Sequence, residues 1–252
     1  MKKTLINLSL LGILSLSTNI SFADTNGCNK LPNHDKLKKA LSDTQVLGKT
    51  TNGGFGLNMW GTIVDRDGIV CAIAYTGADR GAQWPGSRVI SAQKANTANA
   101  FSLPGLALST ANLYSAVQPG GSLFGLQESN PVDTAAAYKG PSINYGSTTD
   151  PLVGNKIGGI NVFGGGLALY NKAGTLLGAI GVSGDTSCAD HNIAWRTRSA
   201  LNLDYVPSGV NSDTTRADNI IIDITAGVSK SGWGHPSCVN TVDAKKLPIT
   251  VK

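Results

Sequence analysis

The chain has 252 residues, of which 41% are hydrophobic, 6% aromatic and 15% charged, and its formal net charge is +5. This length is enough for one domain with a substantial core. Because the basic charge is mild and scattered and aromatic residues are sparse, the composition argues against a nucleic-acid-binding surface.

The first residues have the layout of a secretory signal. Two lysines are followed by an apolar run from Leu5 to Leu16 and by the small residues Ser21 and Ala23 of a cleavage site. The run is too short for a transmembrane span, and no later stretch is apolar enough for one. We therefore predict a secretory signal peptide over 1–23 and a periplasmic or secreted mature protein over 24–252, without an integral membrane segment.

The first elements of the mature chain are predicted to be a helix and a β-hairpin. Asn33 is a typical N-cap, and the apolar spacing after it predicts a helix over 34–47. Alternating residues predict a strand over 55–64, and the Asp67-Gly68 pair is a strong turn signal before a return strand over 69–75.

An alanine-rich helix is predicted next, over 88–103, where Pro104 ends it. Spacings of four and three place Lys94, Thr97 and Phe101 on one face. A lysine there could pair with an anion and a threonine could donate a hydrogen bond or ligate weakly. An equally weighted interpretation is a solvated lysine beside a threonine that packs the helix.

The stretch 106–159 is rich in Gly, Pro, Ser and Asn, and predicts one short helix over 109–117 followed by loop. Such a long segment with little periodicity is typical of a lid, an insertion or an interface.

A second hairpin and helix follow. Strands are predicted over 162–170 and 175–182, and a helix over 187–203, where Ser187 and Asp190 have the spacing of a capping box. A last strand is predicted over 219–224. Hairpin, helix, long loop, hairpin and helix together predict an α+β fold, an antiparallel sheet flanked by helices with a long loop insertion.

Four cysteines follow the predicted cleavage site, and an even number in an exported chain favours two disulfides. Three pairings are possible. We favour Cys28–Cys71 and Cys188–Cys238, because each bond would tie a segment outside the repeated units to a core element. A metal site is disfavoured because the sequence contains no CxxC pair and no HxxxH.

The glycine-rich stretch before the second helix does not match a phosphate-binding loop or the GxSxG elbow of hydrolases. Glycine there allows a ligand or a facing helix to approach the backbone. Asp185 lies where strand becomes helix, so free N–H groups beside it could hold a carboxylate or a propionate. It could equally be a simple helix cap.

Histidine is a common haem or metal ligand, and the chain has three. His191 forms a stripe with Trp195 and Arg198 on the second helix. This stripe could line a pocket, although we favour a surface stripe. His235 is interpreted as a structural residue of the tail.

Three segments together resemble one known family, namely 64–68, 94–98 and 165–184. The chain is similar over about 34–203 to the GlcG/HbpS family, also called the haem-degrading domain family and related to the C-terminal domains of PduO proteins. The stretch 186–191 and the C-terminal extension 204–252 depart from the family pattern, which suggests an exported, disulfide-bearing branch.

The resemblance implies a profilin-like domain that often forms homo-oligomers. It also implies a tetrapyrrole partner, because members bind, sense or degrade haem and relatives bind cobalamin. Haem is therefore the expected cofactor, with cobalamin as the alternative. A haem-ligating threonine of the family matches Thr97. On this resemblance we expect contacts with haem from six residues: Arg88 and Lys94 at propionates, Phe101 at the ring, Thr97 or His191 near iron, and Asp185 at the helix start.

Two other functions stay open at this point. One is a binding protein or accessory enzyme for a small organic acid or a corrinoid, which would use the helix start at Asp185. The other is a structural oligomer without a ligand. Whether the chain is an enzyme is left open, because no residue set in the sequence indicates peroxide chemistry.

Overall fold

Four strands form one antiparallel sheet in the computed structural model, which describes residues 27–250. The predicted signal segment 1–23 lies outside the described residues. The strand order is β2-β1-β4-β3, and the strands are β1 (Trp60–Asp65), β2 (Val70–Tyr75), β3 (Gly166–Tyr170) and β4 (Leu176–Ser183).

Helices cover both faces of this sheet. The long helices are α1 (His34–Gln45), α3 (Ser87–Ala100) and α5 (Ser187–Ala200), and the short ones are α2 (Gly48–Asn52) and α4 (Thr134–Ala137). Helices α1 and α5 pack on the face that buries Ile63 and Ile180, and α3 packs on the face that buries Val64 and Ala179. This division follows the alternation of side chains along a strand. The predicted α+β fold with a helix-flanked antiparallel sheet is confirmed.

Several predicted boundaries were wrong for identifiable reasons. The strand predicted over 55–64 begins only at Trp60, because the N–H groups of Phe55 and Leu57 donate to the Asp185 carboxylate and hold a loop. The strand predicted over 219–224 is absent from the described chain, apart from a two-residue pair of Ile224–Thr225 with Val228–Ser229.

The predicted helices also end earlier than expected. The helix predicted over 34–47 ends at Gln45, and those predicted over 88–103 and 187–203 end at Ala100 and Ala200. In place of the helix predicted over 109–117 there are two 3₁₀ turns, Thr110–Leu113 and Ser115–Val117.

Gly181 on β4 allows the backbone of α3 to approach the sheet closely. A Cβ atom at this position would overlap the backbone oxygen of Ser91 and the backbone nitrogen of Ala95. The facing surface of α3 consists largely of fully buried alanines. The glycine-rich strand therefore serves the close approach of a facing helix, which is one of the two interpretations that the sequence allowed.

Two disulfides are formed, and the favoured pairing is confirmed. Cys28 joins Cys71 with Cα atoms 5.2 Å apart, and Cys188 joins Cys238 with Cα atoms 6.0 Å apart. The first ties the segment before α1 to β2, and the second ties the C-terminal extension to α5. Over residues 27–250, no helix has the length and apolar character that a membrane crossing needs.

Candidate functional site

A cavity of about 780 Å³ opens at the start of α3. Its walls come from four parts of the chain: the first residue of β1, the loop before α3, the first turn of α3, and the long insertion between α3 and β3. The lining side chains that carry aromatic or charged groups are Trp60, Asp79, Arg80, Arg88, Tyr138 and Tyr145.

The wall formed by the insertion is held by a buried ion pair. Arg88 Nε donates to Asp150 Oδ2 at 2.9 Å, and Arg88 Nη1 donates to the carbonyl oxygen of Ala137 at 2.7 Å. The guanidinium lies over the ring of Tyr145, 3.7 Å from its centroid. Asp150 also accepts from the N–H of Gly146 at 2.6 Å. Arg88 therefore fixes the position of the insertion, and its own charge is compensated within the protein.

The rest of the lining combines aromatic rings with small residues and carries two exposed charged side chains, Asp79 and Arg80. Trp60 is buried and packs edge-on against Tyr75 with ring centroids 5.2 Å apart. The indole N–H of Trp60 has no acceptor among the described residues. Tyr138 is 64% exposed. Arg80 is exposed and makes no ion pair within residues 27–250. The cavity thus combines apolar walls with one positive and one negative side chain, Arg80 and Asp79.

Lys94 and Thr97, two other predicted site residues, are buried and bonded to protein atoms. Lys94 Nζ lies 2.7 Å from Asp190 Oδ2 and donates to the carbonyl oxygen of Val182 at 3.1 Å. Thr97 Oγ1 donates to the carbonyl oxygen of Gln93 at 2.8 Å and accepts from the N–H of Asn161 at 2.9 Å. Both side chains hold elements of the fold together.

Phe101 lies apart from the cavity. It is half-buried in an apolar cluster with residues of the insertion, including Leu108 and Val162. The structure therefore does not bring Phe101 to Arg88.

Asp185 occupies the position that was expected to receive an anion. Its carboxylate accepts from the backbone N–H groups of Leu57 at 2.9 Å and Thr186 at 2.6 Å. The N-cap of α5 is Thr186, whose hydroxyl accepts from Ala189 N at 3.3 Å, and not the predicted Ser187. The chain's own carboxylate and hydroxyl therefore serve the donors that an external acid would have used.

His191 is fully buried, and so are Trp195 and Arg198 below it, so the favoured surface stripe was wrong. The residues of the C-terminal extension cover the stripe. The N–H of Ile220 donates to His191 Nε2 at 3.1 Å. Burial lowers the pKa of His191 to about 3 and that of His235 to about 4.

We expect this buried imidazole to make the protein acid-sensitive. The neutral form is favoured in the folded state, so its stabilisation is complete above the unfolded pKa of about 6.5 and is lost as the pH falls towards the folded pKa of about 3. Between pH 6.5 and 4.5, wild type should lose about 2–3 kcal/mol of unfolding free energy more than His191→Gln. Urea unfolding at several pH values measures this difference, and parallel pH curves for the two proteins would contradict it.

Sequence reasoning missed Trp60, Arg80, Tyr138 and Tyr145. Trp60 is the first residue of a strand that was predicted to begin earlier, and the two tyrosines lie in the aperiodic insertion. The composition of the insertion was the available signal, because it indicated a lid or an interface without identifying residues.

Comparison with known proteins places residues 50–198 within one family model, described as haem degrading protein HbpS-like. No curated protein sequence matches the chain significantly.

Three solved structures are similar to this chain. The protein in the structure of a PduOC–haem complex has 24% sequence identity to this chain. The match covers 67% of this chain and 91% of the PduOC chain, with a TM-score of 0.45. Protein ORFY of Klebsiella pneumoniae has 24% sequence identity to this chain. The match covers 66% of this chain and 87% of ORFY, with a TM-score of 0.43. A double mutant of Streptomyces reticuli HbpS has 18% sequence identity to this chain. The match covers 67% of this chain and 85% of HbpS, with a TM-score of 0.41.

Proposed function

Since the family match spans more than half of its residues, the chain belongs to the HbpS-like family, and we propose that it is an exported protein that binds haem in the cavity at the start of α3. Family membership supports the choice of haem. The single observation that supports the location is a cavity of about 780 Å³ that is lined by aromatic rings and has the exposed Arg80 and Asp79 at its rim.

The cavity residues suit the parts of a haem. Ligand pockets commonly have volumes of about 300–1,000 Å³ and are mostly apolar with a few placed polar groups. The buried ring of Trp60 forms part of the apolar wall, and the exposed side chain of Tyr138 brings a phenol to the opening. The guanidinium of Arg80 can pair with a propionate through charge-assisted hydrogen bonds.

The donor set near the cavity favours oxygen ligation of the iron. All three histidines lie among the described residues, and none of them lines the cavity. Tyrosine is an established axial ligand of haem iron, and Tyr138 is the exposed tyrosine of the lining. Haem, when bound, would supply a redox-active iron. Tyr138 would hold that iron through its phenolic oxygen, and Arg80 would orient the propionates.

Arg88 has a positioning role in this proposal. Its charge is paired with Asp150, and its guanidinium packs against the ring of Tyr145. For Lys94, Thr97 or His191 to reach a haem, buried pairs and hydrogen bonds would have to break. An uncompensated buried charge costs several kcal/mol, roughly 3–5 when one partner of such a pair is lost. The assignment of these residues to haem stays a prediction of the family resemblance, as do sensing, degradation and homo-oligomers.

Export is supported by cysteine chemistry and by the sequence of residues 1–23. Both pairs of cysteines form disulfides, which persist in oxidising compartments such as the periplasm or the extracellular space. The charged start, apolar run and small residues of 1–23 have the order of a signal peptide.

The test is a haemin titration of the mature, oxidised protein, followed by absorbance of the Soret band. Wild type should saturate. Arg80→Gln should bind about tenfold more weakly, since a charge-assisted hydrogen bond is lost. Tyr138→Phe should keep the apolar contact but change the visible spectrum, because the phenolic ligand is removed.

Two matched variants control for general effects of these substitutions. Lys172→Gln removes an exposed cation at the β3–β4 turn, and Tyr205→Phe removes a phenol outside the cavity. Both should bind haemin as wild type does. A titration that does not saturate for wild type would overturn haem binding, and equal spectra and affinities for all five proteins would overturn the assignment to this cavity.

A further inference from the structure

A cluster of sulfur and nitrogen ligands lies at the start of α5, away from the proposed haem cavity. Cys188 and Cys238 are joined there, and a ring nitrogen of His235 lies within 4.8 Å of the sulfur atoms. Cys188 is 3% exposed and His235 is 1% exposed. Two cysteines and a histidine are a ligand set that zinc commonly takes in proteins.

The imidazole of His235 has a nitrogen without a hydrogen-bond partner. Nδ1 lies 2.7 Å from the carbonyl oxygen of Pro236, and since a carbonyl can only accept, Nδ1 carries the proton. Nε2 therefore has a free lone pair, and it is buried with no donor among the described residues. A metal-bound histidine typically donates its other N–H to a backbone carbonyl in this way. The histidine thus has a lone pair available for a metal ion even though the sulfurs are oxidised.

The surroundings of the sulfurs favour a thiolate once the bond is reduced. The N–H of Cys188 donates to Cys238 Sγ at 3.2 Å, and Ser187 Oγ lies 3.4 Å from the same sulfur. These donors belong to the first turn of α5, a helix of 14 residues. Helix N-termini lower the pKa of cysteine thiols because they stabilise the negative charge.

We propose that Cys188, Cys238 and His235 bind a zinc-class divalent cation when their disulfide is reduced, so that the disulfide is the oxidised, metal-free form of a metal site. A dithiol reductant would supply two electrons and two protons: the S–S bond breaks, two thiols form, and the reductant becomes a disulfide. Metal binding then displaces one proton from each thiol and forms two metal–sulfur bonds and one metal–nitrogen bond. Water completes the coordination.

The backbone spacing accommodates both states. In a tetrahedral zinc site with metal–sulfur bonds of about 2.3 Å, the two sulfurs lie about 3.8 Å apart. The Cα atoms of Cys188 and Cys238 are already 6.0 Å apart, so rotation of the side chains can open the sulfurs to that distance.

The other disulfide provides an internal comparison. Cys28 and Cys71 are grouped with Asp65, and among the described residues no histidine nitrogen lies within 4.8 Å of both sulfurs. Asp65 Oδ1 accepts from the N–H groups of Asp67 and Ile69 in the hairpin turn, whereas Oδ2 is buried without a hydrogen-bond partner. Two thiolates with an imidazole suit zinc and cobalt better than two thiolates with a carboxylate. We therefore assign the metal to the pair at α5 alone.

The test is a Co²⁺ titration of haem-free mature protein, reduced with a phosphine and kept without oxygen. The reduced protein should take up a single Co²⁺ with thiolate-to-cobalt charge-transfer absorption, and Zn²⁺ should displace it. The oxidised protein should show no such band. Cys28→Ser/Cys71→Ser, once reduced, should bind as wild type does. His235→Gln should bind at least about tenfold more weakly, whereas His34→Gln should bind normally.

Thermal unfolding of the reduced proteins supplies a second measurement. Co²⁺ should raise the Tm of reduced wild type and leave that of reduced His235→Gln nearly unchanged, since metal binding is coupled to folding. The proposal is overturned if reduced wild type gives no charge-transfer band, whether it stays folded or not. It is also overturned if His235→Gln and wild type bind Co²⁺ equally. Neither result bears on haem binding.

Discussion

Replacing Asp218 with alanine is expected to lower the free energy of unfolding by about 3–5 kcal/mol, because it leaves a buried guanidinium without its counter-ion. Asp218 and Arg198 are both fully buried. Arg198 Nη1 donates to Asp218 Oδ2 at 2.6 Å, and Nη2 donates to Asp218 Oδ1 at 3.0 Å. After the substitution, the carbonyl oxygen of Ala168, at 3.1 Å, would be the acceptor left to Arg198.

The control is an ion pair of the same two residue types on the surface. Arg216 Nη1 lies 2.9 Å from Asp213 Oδ2, and both side chains are partly exposed. Asp213→Ala should cost no more than about 1–2 kcal/mol, since solvent screens the pair and the carboxylate otherwise only caps a 3₁₀ turn by accepting from Thr215. Urea unfolding with the disulfides intact compares the two variants. A loss for Asp218→Ala as small as that for Asp213→Ala would show that the C-terminal extension is not held to α5 by this pair.

Replacing Gly181 with alanine is expected to destabilise the protein by about 3 kcal/mol or more, at the upper end of the cost of overpacking a core. The added Cβ would overlap the backbone of α3 at Ser91 and Ala95, where no side chain can rotate away. The helix would have to move off the sheet. Because α3 also contributes Arg88 to the proposed haem cavity, haemin affinity should fall with stability.

Gly105→Ala is the matched control for this substitution. A Cβ at Gly105 meets no atom within 4 Å, and its backbone is not in the left-handed region. Its effect should stay within about 0.5 kcal/mol, as for most surface substitutions. Thermal or urea unfolding measures both variants, and equal stability for the two would contradict the close contact between α3 and β4.

The sheet and the main helices were predictable because their signals are local. The turn at Asp67-Gly68 is one example, since Gly68 adopts a φ of 77°, which glycine tolerates best. The alanines of α3 and the alternation in β1 and β2 carry similar local information. The disulfide pairing was also predictable, because it follows from which segments need attachment to the core.

The proposed cavity was not predictable, because its lining residues lie far apart in the sequence. Arg88 and Asp150 are 62 positions apart, and their ion pair helps to bring the insertion against the start of α3. No periodic pattern marks Tyr138 or Tyr145. Their roles become visible only when the insertion is folded.

The burial of His191 was missed for a different reason. A helix with polar residues on one face normally turns that face to solvent. Here the C-terminal extension covers it, and Asn219 and Ile220 contact His191. The extension has almost no regular secondary structure, so its path over α5 left no pattern in the sequence.

The location of the proposed haem site is tested most directly by blocking the cavity. Gly86 lines the cavity, and a Cβ there would meet no atom within 4 Å. Gly86→Trp should therefore fill the space without disturbing the backbone, and Gly105→Trp provides the same change on a surface outside the lining. Haemin titration should show at least about a tenfold loss of affinity for Gly86→Trp and none for Gly105→Trp, as expected when a ligand is excluded from its pocket. Equal, saturable binding by both variants would contradict the assignment of haem to the cavity at the start of α3.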